Sequence, residues 1–229
     1  QLNGDSRGHI VRFLYESSLL NAEQPAVDLH AADLSASDFS HVHMAGVSLR
    51  NVDLRAARLV EAGMPASDLR EAQLEQADLS RADLSESYLR GANLRQSLLT
   101  GAQLRGAILT KASLVGSNLR DADLSDANLS GADLTGADLT GANLKGARLN
   151  GATLTEATLD GANVSLANLN KALLIGVQAT ATDFSGANLA GASLVGAKLN
   201  ESVFGAAILS EADLTDAELR EANLNLANL

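Results

Sequence analysis

The stretch ADLSDANLSGADLTGADLTGANLKGA, residues 122–147, is built from a five-residue unit with leucine at its centre. The same register runs from Leu29 to Leu229 and gives 41 central positions without an insertion or deletion. Leucine occupies 34 of these positions, and a small residue stands two positions before every centre, alanine in 29 cases. The other centres are Phe39, Met44, Met64, Val164, Ala179, Phe184 and Phe204. A repeat this regular decides the architecture of residues 27–229.

The period of five residues matches neither the two-residue period of a strand nor the 3.6-residue period of a helix. Only a chain that turns once in every five residues aims all of its central side chains at one axis. The small residue two positions earlier then also points inward, where a narrow coil has little room beside leucine. Such a coil buries its apolar side chains by stacking on the next coil, which predicts a solenoid. The 42 leucines and 40 alanines among 229 residues agree with this interior.

The pattern A-(D/N)-L-x-x resembles the pentapeptide-repeat family over residues 27–229. The resemblance implies an all-β solenoid, a right-handed quadrilateral parallel β-helix with four five-residue sides in each 20-residue coil. Forty-one repeats then make about ten coils, and rungs roughly 4.8 Å apart predict a rod roughly 50 Å long. Five of the exceptional centres are separated by multiples of 20 residues, so we expect them in one interior column: Met44, Met64, Val164, Phe184 and Phe204.

Residues 1–26 lie outside the repeat and form a separate N-terminal segment. Their apolar residues lie close to a helical stripe, at Ile10, Val11, Phe13, Leu14, Leu19 and Leu20. We expect a short capping α-helix over the open apolar end of the first coil, with Asp5 and Ser6 as caps before the helix and Pro25 after it. A helix lying on a membrane surface is the alternative, which the small number of lysines and arginines disfavours.

The same segment is similar to a stretch of the form D-G-x-R-K-G-x-x-x-x-F-L-Y-E-x-G-L-I. That stretch precedes the repeats in some bacterial, notably cyanobacterial, pentapeptide-repeat proteins, where it tends to follow a membrane-associated region. Ser17 or Ser18 replaces the usual glycine, and the matching residues are Gly4, Asp5, Arg7, Gly8, Phe13, Leu14, Tyr15, Glu16 and Leu19. Because the chain also begins with Gln1, we expect a soluble fragment of a longer protein. We expect it in the cytoplasm, with tethering to a membrane through an upstream region as the open alternative.

The composition and the motifs exclude several classes of function. Cysteine is absent and no run of 18 apolar residues occurs, which excludes a cysteine nucleophile, a cysteine-ligated zinc site and a membrane-spanning helix within this segment. The sequence contains no phosphate-binding loop, nucleotide fingerprint or nucleophile elbow, so we predict no enzymatic activity and no cofactor. His30, His41 and His43 do not complete a ligand set, so we predict no metal site.

Aspartate often stands directly before a central residue, at a position expected to point outward. We expect these carboxylates to be solvated or bonded to turns rather than catalytic, because a convex rod offers no pocket for a pair of carboxylates. The residues are Asp28, Asp33, Asp38, Asp53, Asp68, Asp78 and Asp83.

Three groups of residues are candidate contact surfaces. The first combines arginines 20 residues apart with an aromatic and an aliphatic residue on the same side, a composition typical of protein interfaces. It comprises Arg50, Arg70, Arg90, Tyr88 and Ile108, with Asp68 and Glu71 placed to neutralise it. The second is a small apolar patch of Leu173, Ile175 and Val195. The last coil has no cap, which predicts either a chain cut there or an end-to-end homodimer through Leu224, Leu226 and Leu229.

These features favour a non-enzymatic rigid scaffold or protein–protein interaction module, whose partner is a protein rather than a small-molecule substrate. The alternative is a DNA mimic, because some members of the family resemble duplex DNA, bind type II topoisomerases such as gyrase and protect them from quinolones. The net charge of −11 permits this alternative, whereas the arginines of the first half and the lack of protruding loops argue against it. Direct binding of nucleic acid is not expected, because the net negative field repels phosphates.

Overall fold

A computed structural model describes residues 4–20 and 27–229. From residue 27 onward the chain turns once in every five residues, and each coil of 20 residues has four sides joined by four corners. We number the sides by their central residues. Side 1 runs from Leu29 to Leu229, side 2 from Leu34 to Leu214, side 3 from Phe39 to Leu219 and side 4 from Met44 to Leu224. The prediction of a four-sided solenoid is confirmed.

Parallel β-bridges join residues 20 positions apart on neighbouring coils, from Asp33 and Asp53 to Ile208 and Asn228. Each side contributes one bridge residue per coil, the residue directly before the centre, and the part of the chain that the structure describes contains no longer strand. Since every rung between the two ends pairs with the rung before it and the rung after it, the backbone ladder is continuous along the rod.

One repeat shows where the backbone hydrogen bonds go. Ala137 donates to the carbonyl of the preceding central leucine (3.0 Å) and closes the corner, while Asp138 donates to the coil before (2.9 Å). Leu139 and Gly141 donate to the coil after, at 2.7 and 3.0 Å. The remaining backbone N–H of the repeat, that of Thr140, donates to the Asp138 carboxylate at 3.0 Å. Aspartate before the centre therefore pairs the one backbone donor that the ladder leaves over.

The seven aspartates predicted to be solvated or turn-bonding all accept this backbone hydrogen bond from the residue two positions later. The distances lie between 2.8 and 3.2 Å, for Asp28, Asp33, Asp38, Asp53, Asp68, Asp78 and Asp83. Their role is confirmed, and asparagine does the same at other corners, as at Asn163. The second corner residue has a positive φ in every repeat from Ala31 to Leu226, which is why glycine is frequent there.

From Leu29 to Leu209 the central residues are buried, and together with the small residues two positions earlier they line one apolar interior. The predicted column on side 4 is confirmed, and Met44, Met64, Val164, Phe184 and Phe204 are all fully buried. The rings of Phe184 and Phe204 stack with their centroids 4.9 Å apart. Side 4 therefore holds two phenylalanines, which are larger than leucine, on adjacent rungs.

The one helix of the described residues, α1, spans Gly4–Glu16 and covers the first coil. Arg7 donates to the Asp33 carboxylate at 3.2 Å, and the Tyr15 hydroxyl donates to the carbonyl of Ala45 at 3.2 Å. A methyl group on Gly8 would collide with the carbonyl oxygen of Asp38, so glycine permits this close approach. With α1 in place, the central residues of the first coil are buried.

The end of α1 explains one difference from the family pattern. Leu19 donates its backbone N–H to the carbonyl of Leu14, and Ser18 donates to that of Tyr15, which together form a Schellman motif. Ser18 has a φ of 58°, so it occupies the left-handed position that glycine usually fills. Ser18 therefore adopts this left-handed conformation in place of glycine.

Two details of the N-terminal prediction are wrong. Ile10 is 43% exposed and Phe13 is 64% exposed, whereas Val11 and Leu20 are buried and Leu14 is half-buried. The contact area between α1 and the end of the narrow rod is small, and the apolar stripe of the helix is wider than this contact. Asp5 and Ser6 lie inside the first turn of α1 rather than before it. The predicted role of Pro25 lies outside the described residues.

Candidate protein-binding surface

The outer surface of the rod is built from three positions per repeat, the bridge residue and the two corner residues. The bridge residue is held by the ladder on both sides and the corners are closed by hydrogen bonds, so these side chains project from a fixed backbone. One cleft on side 1 measures about 270 Å³, and another, at the corner between side 4 and side 1, measures about 290 Å³. A surface of this shape presents an array of side chains rather than a chamber for a reaction.

The first predicted patch is brought together on side 1. Tyr88 and Ile108 are bridge partners on adjacent rungs, and Tyr88 is 45% exposed. Arg50 and Arg90 are exposed at the corner that follows side 1. Tyr88, Arg90 and Ile108 lie on two adjacent rungs, whereas Arg50 lies two rungs before Tyr88, on the far side of Arg70.

Arg70 differs from the other arginines of this patch, because Asp68 neutralises it. The Arg70 guanidinium donates to both carboxylate oxygens of Asp68, with a distance of 2.8 Å from Nε to Oδ1. Burial raises the pKa of Asp68, but the hydrogen bonds from the side chain and backbone of Arg70 outweigh it, so that pKa lies below its ordinary value. Arg70 is therefore positioned by an intramolecular ion pair and has little charge left for a partner.

The other predicted contacts lie elsewhere on the rod. Leu173 and Ile175 are exposed and Val195 is half-buried, on side 2 and the corner after it. Leu226 and Leu229 are exposed and Leu224 is half-buried in the last coil. Leu226 is a corner residue with a φ of 62° rather than an interior one. The apolar patch and the end-to-end contact stay predictions.

The histidines are engaged in separate contacts. His41 lies 3.1 Å from a Glu61 carboxylate oxygen, and the Nδ1 of His43 lies 3.0 Å from the carbonyl oxygen of His41. Among residues 4–20 and 27–229, no three His, Asp or Glu side chains converge in the way that a metal ion requires. Over the same ranges, no helix has both the length and the apolar character needed to cross a bilayer.

Sequence reasoning missed a concentration of positive charge on side 1. On side 1 and its two corners, five successive rungs comprise residues 85–91, 105–111, 125–131, 145–151 and 165–171. They carry two acidic residues, Glu86 and Asp126, and six basic ones. We call the six basic residues the basic stripe: Arg90, Arg105, Lys111, Lys145, Arg148 and Lys171. All six are exposed.

The basic stripe is also free of internal ion pairs. Eight ion pairs are found within the described ranges, at an N···O limit of 4.0 Å, and none involves a residue of the stripe. Their basic members are Arg7, Arg12, His41, Arg55, Arg58, Arg70, Arg81 and Arg120. Aligning the outward positions of the sequence at a period of 20 residues reveals the stripe. The ion pairs of the other basic residues can be identified only from the coordinates.

The chain matches a known protein family over most of its length. The family model described as "Pentapeptide repeats" matches it in eight copies, over residues 27–62, 67–99, 97–136, 132–170, 167–205 and 198–229. A search of curated protein sequences finds no significant match.

Among solved structures, the chain is similar to HetL from the cyanobacterium Nostoc sp. strain PCC 7120. The identity is 34% over 96% of this chain and 95% of HetL, with a TM-score of 0.90. HetL is described as a pentapeptide repeat protein involved in heterocyst differentiation regulation. QnrB1, described as a plasmid-mediated fluoroquinolone resistance protein, is 19% identical over 79% of this chain and 90% of its own, with a TM-score of 0.54. The likeness to QnrB1 shows the fold alone.

Proposed function

This chain belongs to the pentapeptide-repeat family, and we propose that it is a non-enzymatic module that binds another protein through side 1 of its right-handed β-helix. The observation that carries the proposal is the exposed Tyr88 with the half-buried Ile108 on the adjacent rung, bordered by Arg90. Tyrosine and arginine contribute strongly to protein interfaces because they combine a large apolar area with hydrogen-bonding groups.

The rigidity of the rod supports this function. A side chain on a continuous ladder loses little conformational freedom of its backbone when a partner binds, so less binding free energy is lost to ordering. The similarity to HetL, a protein described as involved in heterocyst differentiation regulation, supports a regulatory role for this module.

The DNA-mimic alternative has less support. A mimic of duplex DNA needs a uniformly negative surface, and side 1 carries six unpaired basic residues against two acidic ones over five rungs. The QnrB1 structure is too distant in sequence to carry a function across. We therefore treat binding to a type II topoisomerase as an outcome that the experiment would reveal.

Site-specific photocrosslinking in cells of the source organism tests the proposal. A benzophenone amino acid replaces Tyr88 in one variant and Leu98 in the other. Leu98 is also 45% exposed and lies on side 3, opposite side 1, so it is a matched control. We expect discrete protein adducts from position 88 and none from position 98.

Absence of protein adducts from position 88, or identical adducts from both positions, would contradict binding through side 1. A topoisomerase subunit in the adduct, together with protection of gyrase supercoiling from a quinolone, would favour the DNA mimic instead.

A further inference from the structure

We propose that the basic stripe binds an acidic segment of the protein partner, about six residues long when extended. This inference rests on the proposed function and specifies the chemistry of the partner. It is carried by the charge on side 1 and by the lack of internal partners for that charge.

The charge of side 1 is opposite to that of the protein as a whole. The formal net charge is −11, yet the five rungs of side 1 carry six basic and two acidic residues. The same five rungs on side 3, residues 95–101, 115–121, 135–141, 155–161 and 175–181, carry two basic and four acidic residues. A carboxylate approaching the rod is therefore directed to side 1.

The cations of the stripe are available for a partner. Elsewhere on the rod, arginines pair with carboxylates of their own or neighbouring coils, as Arg70 pairs with Asp68 and Arg120 with Asp138. No carboxylate of the described residues lies within 4.0 Å of a basic group of the stripe. Binding a carboxylate there requires no internal ion pair to break.

Apolar side chains lie among these cations, with Tyr88 and Leu166 exposed and Ile108 half-buried. Tyr88 and Ile108 are on side 1, and Leu166 is 62% exposed at the corner that precedes it. Leu166 also has a φ of 61°, a conformation that leucine rarely adopts. The cleft of about 290 Å³ is lined by Arg105, Lys145 and Leu166, and by the carboxylate of Asp126. A ligand suited to this surface carries carboxylates together with an apolar side chain.

The length of the stripe sets the length of the ligand. Five rungs are separated by four steps of about 4.8 Å, which gives about 19 Å along the axis. An extended segment rises about 3.3 Å per residue, so about six residues span the stripe. Nucleic acid is disfavoured because the chain as a whole carries a net charge of −11, and this field repels a polyanion that extends beyond the stripe.

Fluorescence anisotropy with a labelled peptide tests the inference. The probe is a 12-residue peptide in which aspartate and glutamate alternate with leucine. Its amide analogue, with asparagine and glutamine, and a 20-base-pair DNA duplex are the comparison ligands. The stripe variant carries Arg105→Glu, Lys145→Glu and Arg148→Glu.

The control variant carries Arg95→Glu, Lys198→Glu and Arg220→Glu. These three basic residues are also exposed and unpaired within the described ranges, but they lie off side 1, so both variants have the same net charge. Circular dichroism checks that both are folded.

We expect the acidic peptide to bind the wild type and the control variant within about threefold of each other, and the stripe variant at least about tenfold more weakly. Raising the salt concentration should weaken the binding. The inference is overturned if the wild type does not bind the peptide, if the amide analogue binds equally, if both variants lose binding alike, or if the DNA duplex binds as tightly.

Failure of this inference is distinguishable from failure of the proposed function. Protein adducts from position 88 that persist unchanged in the stripe variant would leave the interaction module standing and exclude the basic stripe as its contact.

Discussion

Two adjacent leucines provide a direct test of which positions face the interior. Leu98 precedes a centre of side 3 and is 45% exposed, whereas Leu99 is that centre and is fully buried. Leu99→Ala removes buried methyl groups and leaves a cavity in a closely packed interior, which costs about 3–5 kcal/mol of unfolding free energy. Leu98→Ala removes side-chain area that is already half in water, which costs at most about 1 kcal/mol.

Thermal unfolding followed by circular dichroism measures the difference. For a chain of this length, each kcal/mol shifts the midpoint by about 2–4 °C, so Leu99→Ala should lower it by about 6–20 °C and Leu98→Ala by less than about 4 °C. Leu173, exposed, and Leu174, fully buried, repeat the comparison on side 2. Equal shifts for the two leucines of a pair would refute the assignment of centres to the interior.

Three further predictions concern the corners and the cap. Asp138→Ala removes the acceptor of the Thr140 backbone N–H and hydroxyl, so urea unfolding should show a loss of about 1 kcal/mol, whereas Asp138→Asn, which keeps an acceptor oxygen, should lose less than half of that. Burial raises the pKa values of Asp68 and Asp138, but hydrogen bonds outweigh burial and leave both pKa values below their ordinary value. As the pH falls, these carboxylates are therefore protonated in the unfolded chain before they are protonated in the folded protein. The urea midpoint should be constant above about pH 6 and fall as the pH drops below about 4. A midpoint that rises on acidification would contradict this. Gly8→Ala forces a methyl group against the Asp38 carbonyl oxygen, so hydrogen exchange should accelerate in residues 4–20 and the first coil and remain unchanged in the later coils.

The solenoid could be predicted from the sequence because each repeat solves the same local problem. Alanine and leucine fill the interior, aspartate pairs the backbone donor left over by the ladder, and glycine fits the left-handed corner position. Because the same local arrangement recurs in 41 repeats, the prediction of the fold depends little on tertiary context. The column of Met44, Phe184 and their neighbours followed from the 20-residue coil alone.

The helix and the contact surface depended on context that the sequence does not carry. Ile10 and Phe13 share the apolar stripe of α1, but the rod end is too narrow to cover them. The predicted patch on side 1 included Arg70, whose positive charge is neutralised by an ion pair with Asp68. Only the coordinates reveal that ion pair. Lys145 was not grouped with Arg148 from the sequence, because Lys145 is a corner residue and Arg148 is a bridge residue of the repeat.

The most direct measurement is photocrosslinking from position 88 in the stripe variant and in the control variant. If an acidic protein partner binds the basic stripe on side 1, the adduct formed in the wild type persists in the control variant and disappears in the stripe variant. An adduct of equal yield in both variants would contradict the account, because the partner would then be recognised without the basic face of the rod.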